Sequence, residues 1–386
     1  MPYPRPLRLP LVLGALLAFL AAGAEAATFV YVHDRADPNQ IFAFSLAKDG
    51  NLEPLPGSPF ASEDPTLDTC GGQCQTMAAD KKSARLFTSG DTGISVWDVA
   101  EDGSLALVPG SPFTATTDEC KGIPCPLFGV AAVRVGKRVF VYAAEFDLDQ
   151  LRGFEVQADG TLVELPTSPF PAGDGPNGIA AAKRLLFAVS EDGAVASYVV
   201  GEDGALAPAP GSPLALDPPP VFVYNATPDA KGKRLYVVDD GFDDPADVDD
   251  IPVGVYGFSV DKRTAALTPI PGSPFDTALP VEEVTGATGG ATAKKLVVAV
   301  GFEEVNNDLQ VFKIGGGGAL SQLGEAQDSG LNTVAASFDP KGKWFLVSSL
   351  ENVRVNRISA RTGEVVPVDQ EPIVAGEVNA IVILSR

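Results

Sequence analysis

The chain has 386 residues, 45% of them hydrophobic and 20% charged, with a formal net charge of −22. This length and apolar content allow a large buried core, and the negative balance disfavours nucleic acid and anionic membranes as partners. The 40 glycines and 33 prolines run along the whole length rather than collecting in one linker, which suits many short strands joined by turns.

Residues 1–26 read as a cleaved export signal. Arg5 and Arg8 precede an apolar run from Leu9 to Gly23, and Ala24-Glu25-Ala26 supplies a small-x-small cleavage site. The run is shorter than the ~20 apolar residues a spanning helix needs, so the mature chain is expected to carry no membrane span and to be periplasmic or extracellular. Its charge becomes about −23 once Arg5, Arg8 and Glu25 leave.

From Ala27 onward a unit repeats: an apolar strand A, a basic turn, an aromatic-rich strand B, an acidic loop, an alternating strand C, a turn and a last strand D. Strand C with its turn reads FAFSLAKDGNL, SVWDVAEDGSL, GFEVQADGTL, ASYVVGEDGAL, YGFSVDKRTAAL, QVFKIGGGGAL and VNRISARTGEV, seven copies. Asp-Gly between alternating runs is a strong hairpin signal. A period of roughly 45 to 60 residues with four strands predicts β-propeller blades. The N-terminal ATFVYVHDR begins with a B-type strand and the C-terminal NAIVILSR is an unpartnered A-type strand. The expected fold over 27–386 is therefore all-β: a single seven-bladed propeller of four-stranded blades, its ring closed by the C-terminal strand joining the N-terminal blade.

PGSPF occurs at 56–60, 109–113 and 271–275, with PTSPF at 166–170 and PGSPL at 210–214. Placed in strand D, the outer edge of each blade, its prolines forfeit no ladder bond and discourage aggregation. Phe60, Phe113, Phe170 and Phe275 are expected to pack between blades.

Strand direction alternates within a blade, so D–A and B–C connections share one end (upper) and A–B and C–D turns the other (lower). The upper loops are acid-rich, with Arg35 and Lys121 as their basic residues, whereas the A–B turns carry Lys81, Lys82, Arg134, Lys137, Lys183, Lys231 and Lys294. The expected surface is thus polarised. Phosphate recognition wants cationic groups facing the ligand, so an acidic upper end disfavours a phosphorylated sugar.

Cys70 and Cys74 in TCGGQC and Cys120 and Cys125 in CKGIPC lie on upper connections. Export favours two disulfides, with three connectivities open and the local pairs Cys70–Cys74 and Cys120–Cys125 preferred; a zinc site is the competing reading. DDGFDDPADVDD, 239–250, gathers Asp239, Asp240, Asp243, Asp244, Asp247, Asp249 and Asp250. Such oxygen-rich loops suit Ca²⁺, although the spacing is not that of an EF-hand; a solvated acidic loop is the favoured reading, with calcium as the competing one. Where the A strands start, Gln73, Asn177, Phe222, Glu283, Asn332 and Asn379 align at similar depth and form a candidate channel-mouth site for a small polar ligand or metal. Ordered water is the alternative occupant. Glu283 and His33 are the candidate catalytic bases, His33 being the one histidine in the chain.

The TFVYV and RLYVV strands, the V-x-F-x-V pattern and the DG-L-x-x-x-PGSPF endings resemble the seven-bladed lactonase-like propellers, which include 6-phosphogluconolactonases and carboxymuconate cyclases and overlap with YVTN-repeat surface proteins. The resemblance covers essentially all of 27–386. It implies a central cleft with histidine, arginine and glutamate in the family's enzymes, and no such set maps onto this chain. The favoured reading is a non-catalytic exported module whose acidic end binds a small polar ligand, a cation or an envelope protein. The alternative is a hydrolase of an unphosphorylated lactone.

Overall fold

The computed structural model describes residues 27–34, 40–61, 76–114, 127–220, 222–229, 231–239, 253–279, 286–301, 308–329, 333–349, 352–375 and 378–386. They form seven antiparallel sheets, each a meander of neighbouring strands. The innermost strands are Met77–Asp80, Leu127–Val135, Pro176–Ala182, Val223–Pro228, Gly286–Ala291, Ala335–Phe338 and Val378–Ser385. Each contacts the next around a ring that returns to its start. The ring is closed by backbone hydrogen bonds: Val378–Ser385 pairs with Thr28–Asp34, and the Arg386 amide donates to the Ala27 carbonyl at 2.8 Å. The first blade is therefore assembled from both ends of the sequence.

The blades hide their faces on one another. Tyr142 and Phe170 of the third blade pack with Leu186 and Tyr198 of the fourth in one buried cluster, and comparable clusters occupy the other blade interfaces. Phe60, Phe113 and Phe275 join these clusters from the rim. Near the axis, where sheets converge, side chains shrink to Ala78, Ala131, Ala180, Gly290 and Ala335.

The outer strand departs from a simple edge. In the first blade it is two short pieces, Leu52–Pro54 and Phe60–Ala61, both paired with Gln40–Leu46. Between them the chain leaves the ladder through Pro56-Gly57, with Gly57 at φ +87, and Ser58 turns back to bond the Leu55 carbonyl at 3.0 Å. A positive φ after proline is what a type II turn requires. The Ser58 hydroxyl then accepts the Ala43 amide at 2.9 Å, replacing the backbone acceptor that the excursion removed. Ser111, Ser168, Ser212 and Ser273 do the same for Val96, Gly153, Ser197 and Gly257. Serine is thus a recurring structural plug, and the following proline is joined to it by a cis peptide at all five positions. The segment does more than tolerate an open edge, as the sequence reading had it: it satisfies buried amides of strand C.

The lower end also differs from expectation. Its basic turns share that end with exposed Asp49, Asp102, Asp159, Asp203 and Asp261 of the C–D turns, so it is mixed rather than uniformly cationic. Many of its cations are spent as latches between blades. Arg85 donates to the Gln157 and Ala158 carbonyls, Arg138 to Glu202, Arg234 to Gly316, and Lys343 to Lys48. Tyr31, Tyr142 and Tyr236 reach the carbonyls of Gly103, Gly204 and Gly318 in the next blade at 2.9, 2.6 and 2.9 Å.

Candidate functional site

The inner strands begin irregularly. Register shifts by one residue at Asn177, between Pro176 and Gly178, and at Asn379, between Val378 and Ala380; comparable breaks occur between Leu127 and Val130 and between Val223 and Ala226. A bulge leaves one residue outside the ladder. Asn177 and Asn379 therefore occupy matching positions at the upper end of the ring. Asn177 is only 3% exposed and its Oδ1 has no donor among the described residues, an arrangement that costs about 1–3 kcal/mol unless water or a ligand supplies one.

Phe222 stands one residue before the fifth inner strand, and its amide donates to Asp239 Oδ1 at 3.3 Å. Asp239 is buried. Gln73, Glu283 and Asn332 lie outside the described residues, as do Asp240, Asp243, Asp244, Asp247, Asp249 and Asp250, the four cysteines, Arg35, Lys121 and residues 1–26. Among the described residues no group of three or more His, Cys, Asp or Glu side chains gathers as a metal site.

His33 ends a B strand and faces the second blade, not the channel. It is 1% exposed, and its Nδ1 lies 2.7 Å from Thr76 Oγ1. Burial pushes the imidazole down to about 4, so it is neutral at pH 7. That places it as an interface residue whose ring is shielded from solvent.

Several upper carboxylates are tied into the scaffold. Glu145 accepts Arg152 Nε at 2.8 Å and Gln150 Nε2 at 2.6 Å, and Arg152 also reaches Glu164 Oε1 at 3.0 Å. Asp149 accepts the Gly175 amide. Asp308 accepts the Ser329 amide and both the Ser329 and Thr333 hydroxyls, yet desolvation still holds its carboxyl above the usual range. Arg354 donates to the Ser329 carbonyl at 2.7 Å. Arg152 and Arg354 are the upper cations that a loop-by-loop reading misses, because both sit inside C strands, Gln150–Val156 and Asn352–Ile358. Their matching place, the third residue of each strand, was the available signal.

A channel cavity of about 420 Å³ runs along the inner strands. It reaches Lys81 and Pro228, at the end of those strands nearest the A–B turns, and most of its wall is alanine, valine and isoleucine. Lys81 carries the only charge among its described lining residues. The cavity thus extends to the end opposite the bulges bearing Asn177 and Asn379.

No protein-family model matches the chain, and no curated protein is similar to it in sequence. Solved structures are similar in fold. One from Bacteroides uniformis, provisionally named a 6-phosphogluconolactonase, aligns at 15% identity with a TM-score of 0.68, covering 93% of this chain and 100% of that one. Another with the same provisional name, from Bacteroides fragilis, aligns at 14% identity with a TM-score of 0.66 over 94% and 99%. A protein from Lactobacillus plantarum aligns at 15% identity with a TM-score of 0.65 over 93% and 99%. With these alignments spanning nearly the full length of each chain, the protein has the seven-bladed fold of the lactonase-like β-propellers.

Proposed function

We propose that the protein is an exported binding module that takes a small polar ligand or a cation at the acid-rich upper end of the ring, with an envelope protein as the class of macromolecular partner. The observation that carries this reading is the buried Asn177 oxygen, without a donor among the described residues and set in a bulge where the inner strand begins. A bound hydroxyl, amine or cation would satisfy it. Three ionisable groups of the upper end are tied into the scaffold, which supports binding over catalysis: His33 is sealed between blades, Glu145 is held by Arg152, and Asp308 is held by Ser329 and Thr333. Export rests on the basic, apolar and small-residue pattern of residues 1–26. Among the described residues no helix is long and apolar enough to cross a membrane.

A second reading, hydrolysis of an unphosphorylated lactone with Glu283 as base, draws on the likeness in fold to two provisionally named lactonases. Calorimetric titration with Ca²⁺ and with neutral sugars, beside a lactone-hydrolysis assay, separates the two. Binding is expected to be saturable and weakened by Asn177→Ala in a variant that retains its circular-dichroism spectrum, with no turnover. Lactone turnover that disappears in Glu283→Gln would replace the binding reading with the hydrolytic one.

A further inference from the structure

We propose that a cleft between the second and third blades, at the lower end, binds a multiply charged oxyanion, a phosphate or sulfate group. The cleft encloses about 540 Å³, and its charged lining is Lys82, Arg85, Arg134, Lys137 and Arg138 with one carboxylate, Glu155, a concentration of positive charge in a chain whose net charge is −22. Its three guanidinium groups are already positioned. Arg134 is held by both oxygens of Asp80, which Ser83 also engages; Arg138 is held by both oxygens of Glu155; Arg85 is held by Asp98 and two carbonyls.

Each arginine is thereby balanced by one carboxylate, while exposed Lys82 and Lys137 make no ion pair among the described residues. The surplus charge is theirs. A guanidinium has five N–H groups, and three on each of these arginines are taken. The remaining donors are fixed in place, so a ligand does not have to immobilise them. A tetrahedral oxyanion, which accepts several charge-assisted bonds at once, suits fixed arginine donors flanked by two mobile ammonium groups.

This site is separate from the upper binding end and from the channel. Lys81 lines the channel and its neighbour Lys82 lines the cleft, so the second blade's A–B turn divides them.

The test is calorimetric titration of the full mature chain, at about 0.1 M ionic strength, with inorganic phosphate, sulfate and glycerol 3-phosphate. Saturable binding is expected, weakened about tenfold or more in a Lys82→Ala/Lys137→Ala variant, because charge-assisted bonds are lost. A Lys183→Ala/Lys294→Ala variant removes equal charge at other lower turns and should change binding by less than about twofold, since it acts only through a screened field. Inorganic anions binding as tightly as the ester would assign a free anion as ligand, and tighter ester binding a phosphorylated one. No saturable binding of any of the three, or equal loss in both variants, overturns the proposal.

Discussion

Acidification from pH 7.5 to 5 should weaken this fold through the buried His33 imidazole. The imidazole of His33 titrates near 6.5 in an unfolded chain, but burial between the first two blades holds it at about 4. Between those values the unfolded state binds a proton that the folded state refuses. The stabilising contribution is therefore fully present above ~6.5 and drains away as pH falls toward about 4. A shift of ~2.5 units at 1.36 kcal/mol each makes the loss roughly 3 kcal/mol. The chain holds one histidine, so the upper part of this window is free of other imidazoles. Equilibrium urea unfolding from pH 7.5 to 5 should show stability falling by up to about 1.4 kcal/mol per pH unit. His33→Gln should remove that slope whatever its effect at pH 7.5. An unchanged slope in His33→Gln, or an imidazole proton resonance that titrates near 6.5 in the folded protein, would refute the reasoning.

Two further substitutions test how the blades are held. Ser111→Ala strips the buried Val96 amide of its acceptor and should lower the unfolding free energy by about 1–3 kcal/mol, whereas Ser104→Ala, in an exposed turn, should cost less than ~0.5 kcal/mol; both are read by chemical denaturation. Arg152→Met leaves Glu145 buried with only the Gln150 amide and should cost about 3–5 kcal/mol. In a double-mutant cycle with Glu145→Gln the pair should lose less than the sum of the singles, and strict additivity would show that the two groups are not coupled.

Much of the fold was legible because blades are built locally. Alternating apolar residues flanking Asp-Gly turns specify each hairpin within a few residues, and seven copies imply a ring since a blade buries its faces only on neighbours. The partnership of Thr28–Asp34 with Val378–Ser385 could be read for the same reason: each terminus held strands the other lacked. The alignment that set Asn177 beside Asn379 likewise located a shared bulge.

What the sequence by itself determined was the strand pattern, the blade number and the ends on which connections emerge, since these follow from periodicity and alternation along the chain. Side-chain contacts between neighbouring blades were decided by tertiary structure alone. No local pattern marks Arg85 as a latch on Ala158, or His33 as a ring pressed against Thr76. Each depends on how far one sheet is rotated against the next, which places a side chain in solvent, in a channel or between blades, and so sets whether its charge is free, paired or suppressed.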